Sequence, residues 1–221
     1  MKGAAPTTTT PKPRSRYEIR RAHVIDASAS VFARKGFHAT TLEDLEAATG
    51  LTRGGLYHYM DGKQDLLIQI HERFIRPLLE NAREIVARGE KPEVELRLLA
   101  RALVQDIATY RDPVAVFLHE WRIIEDEPEW KDIRQGRKEF EDMISSCLRR
   151  GVKDGTFHDM DVRTTMRGFL GMINYTYQWL NPKGKLTADA VADQFAGMIL
   201  NGIRAEPQPQ PGRQRKPTTT S

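Results

Sequence analysis

Residues 41–63, TLEDLEAATGLTRGGLYHYMDGK, have the length of two short helices joined by a tight turn. Thr41 is a favourable N-cap, and Asp44 follows at the third helical position, where its carboxylate completes a capping box and favours the helix dipole. Gly50 ends the first helix, and Thr52 caps the second. The stretch therefore predicts a helix, a glycine turn and a second helix.

The apolar residues of this stretch recur at helical spacing, so each helix is expected to have a buried and an exposed side. The second helix is predicted from Arg53 to about Met60, with Leu56 and Met60 four residues apart on its buried side. The residues of the first helix that are expected to face inward are Leu42, Leu45 and Ala48.

The exposed side of the second helix suits the major groove of DNA, where Arg pairs bidentately with guanine and hydroxyls hold phosphates. Gly54 and Gly55 cost roughly 1 kcal/mol each relative to Ala; they either loosen the helix start or let the backbone approach DNA closely. Taken singly, Tyr57 and His58 are as often ordinary surface residues, so the ordered set carries the interpretation. The candidate DNA contacts are Arg16, Thr41, Thr52, Arg53, Gly54, Gly55, Tyr57, His58, Tyr59 and Lys63.

Residues 22–67 resemble the TetR family of bacterial transcriptional regulators. That family has a Phe-x-x-x-Gly-Phe/Tyr phrase at the end of its first helix, then Thr-Thr, a Leu-Tyr-x-x-Phe phrase and Lys-x-x-Leu. Two positions depart from it: Met60 replaces the usual Phe, and Gly55 stands where Thr, Ser or Ala is common. Met60 can fill the same apolar hole, whereas Gly55 removes a possible DNA contact and puts the site preference in doubt. The matching residues of the first phrase are Phe32, Gly36 and Phe37.

Composition limits the compartment and the kind of site. A chain of 221 residues with 39% hydrophobic residues can bury a core without help. The single Cys147 makes no internal disulfide and lies in no Cys/His cluster, so we expect neither a metal nor a cofactor. No signal sequence and no run of about 20 apolar residues is present. We expect a cytoplasmic protein that does not enter a membrane.

The positive charge of the chain is concentrated at its ends. The formal net charge is +4, but 26 basic and 29 acidic residues lie between the two tails, which gives that part −3. We expect residues 1–16 to be a disordered basic arm and residues 204–221 a disordered tail. The arm, with Lys12, Arg14 and Arg16, either follows DNA phosphates or a minor groove, or is only solubilising.

The remaining chain predicts helices and no convincing strand. A long helix should begin at Lys63, bend at Pro77 and end near Gly89. The architecture is therefore expected to be all-α with about nine helices, a three-helix DNA-binding domain over residues 17–63 and a helical effector-binding and dimerisation domain over residues 64–203. The further predicted helices are Pro92 to Tyr110, Pro113 to about Glu125, Glu129 to Lys153, Val162 to Leu180 and Thr187 to Ile203.

The predicted helix Val162 to Leu180 carries more large apolar residues than one buried stripe holds, and the last predicted helix adds an apolar stripe of its own. They are expected to pack against a second copy as a four-helix dimer interface, with a plain monomer core as the alternative. The resemblance implies the same dimer, reading a palindromic double-stranded operator. The stripe predicted on the last helix is Val191, Phe195, Met198 and Ile199.

A second group mixes aromatic and charged residues around FLHEWRII, residues 117–124, and predicts a pocket. In the resembling family such a domain holds a small effector, and this chain looks like the branch that regulates fatty-acid, phenylacetate or sterol catabolism and binds CoA thioesters. Core packing is the alternative for each aromatic, and a solvated face for each Arg. The candidate effector contacts are Phe117, Trp121, Arg134, Arg137, Phe140, Phe169, Ile173 and Tyr177, with Glu120 in the same group.

Other functions fit the sequence less well. The chain lacks the nucleophile-elbow, Walker, zinc-protease and dinucleotide motifs, which disfavours an enzyme. A nonspecific DNA-binding protein would be more uniformly basic. The expected function is a regulator, most often a repressor in the resembling family, that a hydrophobic effector releases from its operator; a regulator of the drug-efflux type is the alternative.

Overall fold

The computed structural model describes residues 15–120 and 128–204, which belong to two compact units. The first unit is formed by Met1–Pro77 and Tyr110–Arg137, and the second by Leu78–Thr109 and Lys138–Ser221. Both units are helical. The helices are α1 (Arg16–Lys35), α2 (Leu42–Thr49), α3 (Arg53–Leu56), α4 (Lys63–Ala87), α5 (Pro92–Thr109), α6 (Arg111–His119), a 3₁₀ turn (Pro128–Trp130), α7 (Lys131–Lys153), α8 (Val162–Asn174), α9 (Thr176–Trp179) and α10 (Ala188–Ile203).

Helix α1 organises the first unit by packing against α2 and α6. Its start is fixed by a capping box in which the Ser15 hydroxyl accepts from the Glu18 N–H, and the Glu18 carboxylate accepts from the Ser15 N–H. Gly36 ends the helix with a φ of 80°. The residues that α1 buries include Val24, Ile25, Ala29, Val31 and Phe32.

Helix α5 is the centre of the second unit, where it packs against α8, α9 and α10. Arg101 of α5 donates two parallel hydrogen bonds, 2.8 and 2.7 Å long, to the Asp193 carboxylate of α10. Glu95 is almost fully buried on the same helix, and Arg150 of α7 donates to it at 2.7 Å. The core that these pairs border includes Leu96, Leu99, Leu103, Ile144 and Leu148.

The all-helical prediction is confirmed, with several changed boundaries. The helix predicted over 162–180 is interrupted at Tyr175, so the described residues hold ten α-helical segments, or nine if α8 and α9 are counted together. The predicted second reading helix was too long, because α3 ends at Leu56 and a turn follows. Extended pairing within the described residues is limited to one isolated bridge between Phe157 and Arg204.

The structure corrects one of the predictions made for the chain ends and leaves the predicted bend at Pro77 untested. Arg16 is the first residue of α1 and not part of an arm, which corrects the expected boundary. Pro77 lies inside an uninterrupted α4, and a bend there stays a prediction. The other residues of the two predicted tails, apart from Ser15 and Arg204, lie outside the described part of the chain.

Cys147 is a packing residue in this fold. Its thiol is buried and donates to the Pro92 carbonyl at 3.2 Å, and burial, with the nearby Glu95 charge, raises the pKa of Cys147 to about 12. Within the described ranges no three His, Cys, Asp or Glu side chains are grouped to hold a metal ion. Among the same residues, no helix combines the length and the apolar character needed to cross a bilayer.

Gly151 of α7 should not tolerate a side chain. A Cβ atom built there overlaps the buried ring of Phe157, and the Phe157 N–H donates to the Gly151 carbonyl at 2.9 Å. We expect Gly151→Ala to lower the free energy of unfolding by about 1–3 kcal/mol, since the ring must leave its place. Denaturant unfolding measures this loss.

The control is the same substitution in a Phe157→Leu background. The smaller side chain leaves room for the added methyl group, so the loss caused by Gly151→Ala should shrink there. Equal losses in both backgrounds would show that the overlap with Phe157 is not the cause.

Candidate nucleic-acid interface

Helices α2 and α3 are held in the geometry that the sequence predicts. The Thr41 side chain accepts from the Asp44 N–H, and the Asp44 carboxylate accepts from the Thr41 N–H. Gly50 adopts the left-handed conformation, with a φ of 68°, that turns the chain towards α3. The Thr52 hydroxyl then accepts from the Gly55 N–H at the start of α3.

The two faces of the α3 segment are sharply divided. Leu56 is fully buried, and Met60 is 3% exposed, so their edge packs into the first unit. Arg53, Tyr57 and His58 are exposed, with the Tyr57 side chain 50% accessible. The predicted division of this segment into an apolar inner edge and a polar outer edge is present in the structure.

On the buried side of α2 the prediction holds in part. Leu45 is fully buried, whereas Leu42 and Ala48 are half-buried. Thr49, which the apolar pattern did not mark, is buried because its hydroxyl donates to the Leu45 carbonyl at 2.7 Å.

The side chains on the outer edge are available to a ligand. Arg53 has a single long ion pair, 3.8 Å, with the exposed Glu43. A Cβ atom at Gly54 would meet no heavy atom of the described chain within 4 Å, and one at Gly55 would make ordinary contacts with Leu51 and Thr52. The fold therefore requires glycine at neither position.

A turn over residues 57–59 continues α3, and two side chains brace it. The Tyr17 ring stacks on Tyr59 with 5.3 Å between centroids, and the Tyr17 hydroxyl donates to the His58 carbonyl at 3.4 Å. Gln69 donates to the Tyr59 carbonyl at 2.9 Å. Sequence reasoning missed Tyr17, since nothing along the chain links it to a residue 42 positions away.

Lys63 has a different environment from the one expected of a phosphate contact. Its ammonium donates to the carbonyls of Phe37, His38 and Thr40 at 2.8, 3.4 and 3.0 Å. It also lies 4.6 Å from the centroid of the Phe37 ring. Because three carbonyls use its three protons, the structure gives Lys63 a role in holding the loop before α2.

The remaining predicted DNA contacts are capping or surface residues. Thr41 and Thr52 are exposed, but their hydroxyls cap α2 and α3. Arg16 is exposed at the start of α1. Lys35 pairs with Asp44 at 2.6 Å, and this hydrogen bond, with that from the Thr41 N–H, lowers the pKa of Asp44 to about 2. The pair ties the end of α1 to the start of α2.

The predicted effector contacts divide between the two units. Phe117, Arg134 and Arg137 belong to the first unit, where Phe117 is buried and both arginines are half-buried. Trp121 lies outside the described residues. Those of the second unit are Phe140, Phe169 and Ile173, all buried, and Tyr177, half-buried.

His71 packs beside one of these residues. It is completely buried on α4, with its ring centroid 5.3 Å from that of Phe117 and 5.2 Å from that of Trp130. Its Nδ1 lies 2.7 Å from the Leu67 carbonyl and therefore carries the proton. Nε2 is buried and has no hydrogen-bond partner among the residues that the structure describes. Burial lowers the pKa of His71 to about 4, against a small opposing effect of the Leu67 carbonyl.

This buried histidine should make stability depend on pH. The unfolded chain, with an ordinary pKa of 6.5, binds more protons than the folded chain below that pH, so stability falls as pH falls from 6.5 towards 4. We expect a loss of about 2 kcal/mol between pH 7.5 and 5 that His71→Leu removes. Denaturant unfolding at both pH values measures it.

The comparison with His71→Leu is needed because Asp106 titrates in the same range. Burial raises the pKa of Asp106 to about 6, so Asp106 increases the stability of the folded chain as pH falls, opposite to His71. This effect is the same in the wild-type protein and in His71→Leu. The same pH dependence in wild type and in His71→Leu would contradict the assignment to His71.

The first unit thus presents a helix-turn-helix, the reading element of a class of DNA-binding proteins. Comparison with known proteins agrees: residues 24–70 match the bacterial regulatory proteins of the tetR family, and residues 89–203 match the tetracyclin repressor-like C-terminal domain. The chain belongs to the TetR family, which consists of transcriptional regulators and not of enzymes.

Individual relatives match over most of their length. The HTH-type transcriptional repressor KstR2 of Rhodococcus jostii strain RHA1 is 31% identical over 83% of this chain and 91% of its own. The solved structure of the ketosteroid transcriptional regulator KstR2 of Mycobacterium tuberculosis superposes with a TM-score of 0.80, at 28% identity over 85% of this chain and 96% of that one. AibR in complex with isovaleryl coenzyme A and operator DNA has the same fold, with a TM-score of 0.72 at 24% identity over 82% of this chain and 98% of that one.

Proposed function

We propose that this protein is a repressor that binds a palindromic operator as a homodimer and is released by a hydrophobic effector, with a CoA thioester as the effector class. One observation carries the DNA-reading part. The segment 53–60 turns Leu56 and Met60 into the protein and leaves Arg53, Tyr57 and His58 exposed. A helix start with this arrangement can enter a major groove while its apolar side chains stay buried in the protein.

The surroundings of that segment support the proposal. The turn after α3 is braced by Tyr17 and Gln69, so its backbone is held in place before DNA arrives. The fold does not require glycine at position 54, because a Cβ atom there would have space and the backbone φ is not positive. Close approach of the α3 backbone to a phosphate explains why a side chain is absent there.

The dimer part rests on an exposed apolar surface of the second unit, here named the α8–α10 face and formed by Tyr175, Trp179, Phe195 and Met198. Tyr175 is 65% and Met198 59% exposed, while the Trp179 and Phe195 rings meet edge to face at 6.1 Å between centroids. Large apolar side chains left exposed on the surface of one unit mark candidate interaction surfaces. Val191 of the predicted stripe is instead buried within the protomer.

The effector part is supported by the relatives. Two of them are regulators named KstR2, one described as a ketosteroid regulator, and a protein of the same fold has been solved with isovaleryl coenzyme A. In this chain the second unit supplies buried Phe140, Phe169 and Ile173 for an acyl chain. For the CoA phosphates, half-buried Arg134 and Arg137 of the first unit stay predictions.

Selection of DNA by the full chain tests the reading function. The protein is mixed with a library of randomised duplexes, and the bound fraction is recovered and sequenced over successive rounds. We expect enrichment of a palindrome whose half-sites are about one helical turn apart. Enrichment of no sequence, with equal affinity for selected and random duplexes, would favour a nonspecific DNA-binding protein.

A thermal-shift screen tests the effector class. The panel contains CoA thioesters, the matching free acids, coenzyme A alone and hydrophobic cationic drugs. We expect thioesters to raise the melting temperature while the acids and coenzyme A alone do not, since a ligand that binds only the folded state stabilises it. Stabilisation by the drugs alone would favour a regulator of the efflux type.

A further inference from the structure

The loop between α1 and α2, residues 36–40, is held by two opposite charges that come from distant parts of the chain. One is the Glu120 carboxylate, directly after α6, and the other is the Lys63 ammonium at the start of α4. All of these residues belong to the first unit. We name Glu120 and Lys63 the loop clamp.

Glu120 binds a donor of the loop. Its Oε1 accepts from the Phe37 N–H at 2.9 Å, across 83 residues of sequence. The same oxygen would lie 3.7 Å from a Cβ atom at Gly36, so the carboxylate lies directly against the backbone where α1 ends. Phe37 is 6% exposed, and a hydrogen bond between a carboxylate and a backbone N–H in such a place is stronger than one between neutral groups.

Lys63 binds the acceptors of the same loop, the carbonyls of Phe37, His38 and Thr40. Each member of the clamp therefore has the sign of charge that the backbone groups facing it require. Thr40 closes the loop from within, because its hydroxyl donates to the Gly36 carbonyl at 2.8 Å. The loop thus has few ways to move without breaking a charge-assisted hydrogen bond.

The position of the loop determines where α2 begins. Thr41, the N-cap of α2, follows Thr40 directly, and Gly50 and Thr52 then connect α2 to α3. A shift of the loop is therefore passed on to the exposed edge of α3. Glu120 directly follows α6, and its hydrogen bond to the Phe37 N–H joins the end of α6 to the α1–α2 loop.

We propose that Glu120 is a positioning residue for DNA reading: it holds the α1–α2 loop against the end of α6 and so sets the orientation of α2 and α3. The proposal rests on the proposed DNA-reading function. Displacement of the α6 end breaks the Glu120 to Phe37 hydrogen bond, leaves the loop with Lys63 alone of the two clamp residues, and lowers operator affinity.

The test compares three variants of the full chain. Glu120→Ala removes the acceptor, Glu120→Gln keeps an acceptor oxygen without the charge, and Glu129→Ala removes an exposed carboxylate from the same unit as a control. Amide hydrogen exchange of Phe37 is followed by NMR. Affinity is measured for a duplex recovered from a randomised library by the wild-type protein.

We expect Glu120→Ala to speed the exchange of the Phe37 amide by at least about tenfold and to lower duplex affinity by about tenfold, because a charged acceptor is lost. Glu120→Gln should change both by a few-fold, and Glu129→Ala should change neither. Amides in the centre of α1, such as that of Phe32, should keep wild-type exchange, which separates a local effect from general loss of stability.

Several results would overturn the proposal. These are wild-type exchange of Phe37 in both Glu120 variants, faster exchange spread evenly over the first unit in Glu120→Gln, or faster exchange of Phe37 with unchanged duplex affinity. If Glu120→Ala does not fold, the Gln variant decides. Failure of the wild-type protein to select any duplex would instead reject the proposed function, and it is recognised separately because the exchange measurement needs no DNA.

Discussion

Arg53→Ala is expected to weaken binding to the selected operator by on the order of 10² to 10⁴-fold. A bidentate pair between Arg and guanine contributes about 1–3 kcal/mol, and the proposed two-fold dimer would lose it in both half-sites. Arg53 is suited to this contact because its side chain is 58% exposed and its ion pair with Glu43 is long, at 3.8 Å. Fluorescence anisotropy with a labelled duplex measures the change.

Two further variants distinguish a specific contact to a base from nonspecific attraction between a positive charge and the DNA. Arg53→Lys keeps the positive charge but not the forked donor pair, so it should recover only a small part of the affinity. Arg149→Ala removes another exposed arginine, from α7 in the second unit, and should leave affinity unchanged. Full operator affinity in Arg53→Ala would remove Arg53 from the interface.

Met198→Glu is expected to convert the proposed dimer into monomers. A two-fold interface buries the new carboxylate twice, and each unpaired buried charge costs about 3–5 kcal/mol, which weakens the dimer by more than about hundredfold. Operator affinity should fall with it, because only the dimer joins two half-sites. Analytical ultracentrifugation measures the oligomeric state at micromolar concentration.

The controls use residues of matched exposure and size. Met198→Leu keeps an apolar side chain of similar volume and should remain dimeric. Ile19→Glu places the same charge on an apolar residue of the first unit that is 58% exposed, close to the 59% of Met198, and should also remain dimeric. A Met198→Glu protein that sediments as wild type would show that the α8–α10 face is not the dimer interface.

Capping and turn residues in the sequence predicted the helix-turn-helix correctly. The caps at Thr41 and Thr52 and the left-handed Gly50 depend on residues within four positions of each other, and all three are present. The end of α3 was not predicted, since Met60 continues the apolar spacing whether the backbone is helical or turned. Its side chain is buried in either case.

Contacts between segments that are distant in the chain could not be predicted from the sequence. A lysine beside a reading helix suggests a phosphate contact, and only the fold shows that Phe37, His38 and Thr40 turn their carbonyls towards Lys63. Glu120 was grouped with the aromatic residues near it in the chain for the same reason. Its partner at Phe37 is 83 positions away, and no spacing rule connects them.

The stacking of Tyr17 on Tyr59 has a practical consequence for anyone who purifies this protein. Ser15 caps α1 only two residues before Tyr17, so the described part of the chain begins beside the surface proposed to meet DNA. A histidine tag placed there adds cations or bulk at that surface and distorts measured affinities.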